Sequence, residues 1–182
     1  MSRIVVSGYY GSKNAGDEAM LAAMIEVLSE LDPKLHITVI SADPEDTERR
    51  HGVKAIPWLG FGAIWSAIRE ADLVISGGGN LNSRYGWLLY ERAAIALVAQ
   101  YAKIPVFVSG QSIGPVLSPR DEEVLLRMLR SATSVAVRER SSYEWCREHD
   151  LKALAGVDDA SDYRAHTPEI TLDYADTRVE VP

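Results

Sequence analysis

Short β-branched runs alternate along the chain with stretches whose apolar residues recur at helical spacing. The strand candidates are residues 4–7, 36–41, 53–56, 72–76, 105–109 and 134–137, several of them near-continuously apolar, the pattern of strands covered on both faces of a parallel sheet. Residues 16–31 place Met20, Leu21, Met24, Ile25, Leu28 and Leu31 on one stripe, with Pro33 just past the end. Residues 87–102 are apolar almost all round and predict a buried helix, and a shorter helix is expected over 61–69. Ser118-Pro119-Arg120-Asp121 supplies an N-cap, a first-turn proline and an acidic third position, and Ser141-Ser142-Tyr143-Glu144 reads as a capping box. The order is βα, β, βα, βα, βα, βα, with no helix expected between the second and third strands.

Such alternation predicts an α/β fold, a doubly wound, mostly parallel Rossmann-like sheet, because parallel neighbours need right-handed crossovers. The pattern weakens after Asp150: residues 152–157 offer one more strand, and 178–182 read as a strand just beginning. The expected organisation is one domain over residues 1–156, then an acidic linker and the start of a second domain over 157–182. Charge supports that division. Seven acids against Arg164 and Arg178 give 157–182 a charge of -5 out of a total of -7, so the first 156 residues are nearly neutral. An acidic chain argues against nucleic acid as a partner. The single cysteine, Cys146, excludes an internal disulfide and a cysteine metal cluster, and the histidines show no metal-ligand spacing. The apolar run after Met1-Ser2-Arg3 is too short for a signal-peptide core or a membrane span, so a cytoplasmic location is expected.

Four connections follow four of the expected strands and share the carboxyl edge of the sheet, where open α/β folds bind ligands. They are Gly8 to Glu18, Gly77-Gly78-Gly79-Asn80-Leu81-Asn82, Gly110-Gln111-Ser112-Ile113-Gly114-Pro115, and Arg138-Glu139-Arg140. Glycines there allow close backbone approach to a ligand, and they equally make tight strand-to-helix turns. Gly11 and Gly16 have P-loop spacing, yet Asp17 stands where that motif needs lysine. Asp17 and Glu18 either cap the following helix or, with Asn14, hydrogen-bond a sugar. Arg138, directly after a buried strand, suits a carboxylate or phosphate, and the competing reading is an ion pair with Glu139. Either Tyr9 or Tyr10 could stack on a sugar ring; the tryptophans, Trp87 included, are expected mostly in the core and the histidines mostly in solvent.

Taken together, Gly8-Tyr9-Tyr10-Gly11 with Asn14-Ala15-Gly16-Asp17-Glu18-Ala19, Ile75-Ser76-Gly77-Gly78-Gly79-Asn80-Leu81, Ser109-Gly110-Gln111-Ser112-Ile113-Gly114-Pro115, Val137-Arg138-Glu139 and Asp158-Asp159-Ala160 resemble the polysaccharide pyruvyl transferase family. The likeness runs through nearly the whole chain in order. It implies the N-terminal half of a GT-B-like enzyme that transfers pyruvate from phosphoenolpyruvate onto two hydroxyls of a sugar as a ketal. No cofactor or metal is implied; the donor is a substrate. The implied acceptor is a saccharide or lipid-linked saccharide in cell-surface polysaccharide biosynthesis, with contact to membrane-bound precursors. Arg138 and Asp17 are implied as catalytic, and Gly8, Tyr10, Gly11, Asn14, Gly16, Gly77, Gly78, Gly79, Asn80, Gln111, Gly114, Glu139 and Asp159 as donor- or acceptor-binding. The family's catalytic histidine and a further basic residue belong to its second domain, and neither role transfers to His149 or His166. Asn80 and Asn82 depart from the residues many members carry there. The rival expectations are a GT-B glycosyltransferase using a nucleotide sugar, and a non-catalytic binding domain.

Overall fold

The computed structural model describes residues 2–155. The expected linker, the strand at 178–182 and Asp159 lie outside them. The strands are β1 (Arg3–Ser7), β2 (His36–Ser41), β3 (Lys54–Pro57), β4 (Leu73–Gly77), β5 (Asn80–Leu81), β6 (Val106–Ile113), β7 (Ser134–Val137) and β8 (Leu154–Ala155). Among them run helices α1 (Ala15–Leu31), α2 (Pro44–His51), α3 (Phe61–Arg69), α4 (Gly86–Tyr101), α5 (Pro119–Ser131) and α6 (Arg140–Glu148). Strand order is β3-β2-β1-β4-β6-β7-β8, every pair parallel, with β5 joined to β6. The fold is the mostly parallel, doubly wound sheet that the alternation predicts.

The two-residue period of the strands explains why both faces are covered. Ile4, Val6, Val39, Ala55 and Ile75 point to one side and pack with Leu21 and Met24 of α1. Val5, Ile40, Ile56, Val74 and Val108 point to the other, against α3, α4 and α5. Cys146 of α6 is fully buried in that second cluster, and burial pushes its thiol up to about 11.

Four local expectations need correction. The chain between β2 and β3 is a helix, α2, which escapes a search for apolar periodicity because PEDTERRH has no apolar residue. Its ends carry the signals instead: Asp43 caps it, Pro44 opens it and Gly52 closes it in the left-handed conformation. Asp46 pairs with Arg49 and Arg50 along its surface. Next, Gly110, Gln111, Ser112 and Ile113 belong to β6 and not to a connection; the strand absorbs them through a register shift between Val108 and Gln111. Also, α6 starts at Arg140 with Glu139 at its cap position, so no capping box forms at Ser141. Last, the strand expected at 152–157 is the short β8 within the described residues.

Two glycines with nearly equal φ separate strain from crowding. At Gly52 (φ 66°) a Cβ would meet nothing, whereas at Gly11 (φ 72°) it would fall 2.1 Å from Ser41 Oγ and 2.5 Å from the Asp43 nitrogen. Gly52→Ala should therefore cost about 1 kcal/mol of unfolding free energy, the left-handed penalty alone. Gly11→Ala should cost ~3 kcal/mol, because overpacking adds to the same penalty. Urea unfolding of the two variants checks this; equal losses would refute it.

Candidate functional site

β1 and β4 are neighbours, but the helices that follow them, α1 and α4, cover opposite faces of the sheet. The connections therefore diverge and leave a crevice at the carboxyl edge. Its cavity, of about 390 Å³, is floored by Asn14, Gly16, Asp17, Gly79 and Asn80. Arg92 of α4 and Arg138 at the end of β7 supply its positive charge, and Tyr9, Tyr85 and Trp87 form an aromatic wall.

Asn14 caps α1: its Oδ1 accepts from the Gly16 nitrogen at 3.0 Å and the Asp17 nitrogen at 3.4 Å. That geometry turns Asp17 inward, where only 8% of it is exposed. Burial holds its carboxyl above the usual range, with Glu18 adding to the effect, while the charges of Arg92 and Arg138 oppose it. Glu18 points elsewhere. One of its oxygens accepts from the Gly11 nitrogen at 2.8 Å, and the other lies 2.9 Å from His51 Nε2, tying the first connection to the end of α2. His51 is thus largely enclosed, not solvated as expected.

Arg138 makes the ion pair with Glu139 and also lines the cleft. Its Nε lies 3.4 Å from Glu139 Oε2, and its Nη2 donates to Asn80 Oδ1 at 2.9 Å while the side chain lines the cleft. Nε also donates to Ser112 Oγ, which donates in turn to Glu139 Oε2 at 2.7 Å. Ser142 Oγ donates to the other Glu139 oxygen and accepts from the Ile113 nitrogen at 2.7 Å. The result is a guanidinium fixed in direction by β5, β6 and α6 at once.

Of the residues expected at the site, Asn14, Gly16, Asp17, Gly79, Asn80 and Arg138 come together around the cavity. Tyr10 does not: it is fully buried in the core beneath Gly8 and Gly77, and Tyr9 takes the wall position. Gly8, Gly11, Gly77, Gly78 and Gly114 shape the backbone behind the cleft, and Glu139 orients Arg138. Gln111 is fully buried and donates to the Ser76 and Gly78 carbonyls at 3.3 and 3.1 Å, so it braces the glycine turn from within. Trp87, expected in the core, is half exposed.

Arg92 went unrecognised. It is 3% exposed, and its Nη1 donates to the Gly77 carbonyl at 2.8 Å and the Gly78 carbonyl at 3.2 Å. The available signal was a lone arginine on the inward stripe of an otherwise apolar helix, where burying a charge needs a reason. Among the described residues no group of three or more His, Cys, Asp or Glu could hold a metal ion.

The fold is a Rossmann-type α/β domain with a cleft at its topological switch point. The chain belongs to the polysaccharide pyruvyl transferase family, whose sequence profile matches residues 14–161. No curated protein matches it significantly. Among solved structures it is similar to Anabaena HepE, crystallised with UDP and glucose, at 15% identity and a TM-score of 0.56 over 86% of this chain. A Citrobacter triphenylmethane reductase is 14% identical with a TM-score of 0.47, over 81% of this chain and 54% of its own. The chain spans 44% of the length of the Anabaena protein.

Because burial raises the Asp17 carboxyl pKa, the folded state holds a proton that the unfolded chain has already released. Stability contributed here is present below the unfolded value and is lost as pH rises through the folded one. Asp17→Asn should therefore leave the melting temperature at pH 7 unchanged or higher and flatten its fall between pH 4 and 7. A marked drop in melting temperature would show instead that the carboxylate stabilises the fold.

Proposed function

We propose that this chain forms the donor- and acceptor-binding half of a pyruvyl transferase that builds a pyruvate ketal on a sugar in cell-surface polysaccharide biosynthesis. What supports the reading most is one juxtaposition: two arginines and a carboxyl whose pKa burial raises, facing one 390 Å³ cleft in a member of this family. Phosphoenolpyruvate carries a carboxylate and a phosphate, and two guanidinium groups suit such a pair of anions.

The reaction adds one sugar hydroxyl to C2 of the enol phosphate while its methylene gains a proton, and the second hydroxyl then displaces phosphate from that carbon, each hydroxyl giving up its proton as it attacks. Asp17 is the group of this cleft suited to exchange those protons, because burial raises its pKa above that of an ordinary carboxyl. Arg138 is held firmly enough to bind an anion without reorganising, which is what electrostatic stabilisation requires. Tyr9 and Trp87 stand with ring centroids 6.3 Å apart and offer flat faces to a sugar. The donor enters as a substrate, and the chemistry invokes no metal or organic cofactor. The location we assign is the cytoplasm, where phosphoenolpyruvate is available.

A second reading, transfer from a nucleotide sugar, rests on the fold shared with Anabaena HepE in its complex with UDP and glucose. Titration calorimetry separates the two. Phosphoenolpyruvate should bind, and Arg138→Ala should weaken it on the order of 10- to 100-fold, the loss expected for hydrogen bonds to a charged group. Binding of a uridine nucleotide without phosphoenolpyruvate binding would favour the second reading.

Anion binding beside Asp17 should also raise its pKa further. Phosphoenolpyruvate titrations across pH 4 to 8, in buffers of different ionisation enthalpy, should then show a component of proton uptake that is lost in Asp17→Asn. Uptake unchanged in the variant would remove Asp17 from the proton path.

A further inference from the structure

Beside the cleft, between α3 and α4, runs a second cavity of about 350 Å³ whose lining is apolar apart from Glu91. Leu59 and Phe61 of its lining are 74% and 78% exposed, and Tyr101, packed beside Trp65, is 81% exposed. Helix α3 buries Ile64 and Ile68 against the sheet, yet its outer side presents Phe61 and Trp65. A helix apolar on both sides is not explained by its own core.

We propose that this face docks on the surface of an anionic lipid bilayer. The charge of the region selects that occupant. Among exposed side chains, residues 53–104 carry Lys54, Arg69, Arg84 and Lys103 against Glu70 and Asp72, in a chain of net charge -7. Arg69 lies 5.7 Å over the Trp65 ring, and exposed Lys103 follows Tyr101 in the turn that closes α4. Trp65 and Tyr101, with centroids 6.1 Å apart, are the amphipathic rings that favour the headgroup level of a membrane. A basic residue beside each ring adds attraction to an anionic leaflet. A protein partner would call for hydrogen-bonding groups at its rim, and this groove is lined by one polar residue. Burial holds the Glu91 carboxyl above its usual range, so even that group leans towards its neutral form.

The groove and the cleft meet at Trp87, which lines both and packs edge-on to Trp58 with centroids 5.1 Å apart. Docking would set the mouth of the cleft against the bilayer, within reach of a substrate that is itself anchored there. No helix among the described residues is long and apolar enough to cross a membrane, so the contact is peripheral. This inference stands apart from the chemistry assigned to the cleft: it survives if phosphoenolpyruvate does not bind.

Flotation with vesicles of equal parts phosphatidylglycerol and phosphatidylcholine tests it. The chain should float with these vesicles and not with pure phosphatidylcholine. Phe61→Ser combined with Trp65→Ser should lower the partition coefficient at least tenfold while phosphoenolpyruvate affinity is kept. Arg69→Glu with Lys103→Glu, both on exposed positions, should do the same without touching the apolar surface. Failure to float, or flotation unchanged in both variants, would overturn the proposal. So would a dimer in sedimentation that the Phe61 and Trp65 substitutions dissolve, since the face would then belong to a second copy of the chain.

Discussion

Everything at the carboxyl edge depends on how the chain leaves β4. Three glycines follow the buried run there, and the carbonyls of Gly77 and Gly78 turn into the interior, where they would be stranded without partners. Arg92 reaches both from α4, and Gln111 reaches the Gly78 carbonyl from β6. That arrangement fixes the turn from two sides. It also accounts for the glycines, since a Cβ at Gly77 would sit 2.5 Å from Tyr10 Oη and 2.6 Å from Met24 Cε. The turn lets the chain resume as β5, hydrogen-bonded to the outer end of β6 through the Ser112 nitrogen and the Gly79 carbonyl. Asn80 is thereby delivered to Arg138 and Gly79 to Asp17. One satisfied set of backbone groups organises both charged sides of the cleft.

The second layer behind the cleft follows the same logic of complete pairing. Ser112, Glu139 and Ser142 form a chain in which each hydroxyl both donates and accepts. A half-exposed arginine with a single carboxylate neighbour would wander among rotamers. Bonded to Asn80 and Ser112 as well, it presents a fixed fork to whatever enters. Glu139 thus matters through Arg138, although it lies outside the cavity itself.

How much of this the sequence disclosed depends on which signal each feature left. Strands β2 and β7 and helix α3 follow from local apolar runs to the residue. Helix α2 does not, because its stability comes from caps and ion pairs on a wholly polar segment. The extension of β6 was hidden by Gly110, which reads as loop but here marks a bulge. At the site, the glycine connections and Arg138 announce themselves through position after a strand. Which of two adjacent tyrosines faces the cleft does not, since burial of Tyr10 is decided by Gly8 and Gly77 making room for its ring. Arg92 was legible in principle as a charge out of place in an apolar helix, but its partners are 14 and 15 residues away and are backbone atoms. No pattern of side chains records them.

The electrostatics of the cleft follow from these positions and bear on what it can accept. Asp17 is withdrawn from water, which raises its carboxyl above the usual range, while two guanidinium charges oppose that shift. A neutral ligand would displace water and push the carboxyl further towards its acid form. An anion seated between the arginines would do so more strongly, by screening the two charges that favour the carboxylate. In either case filling the cleft raises the Asp17 pKa and favours its protonated form. A cleft built this way couples ligand entry to protonation without any moving part, and donor chemistry that begins with a proton on carbon is the kind that gains from such coupling.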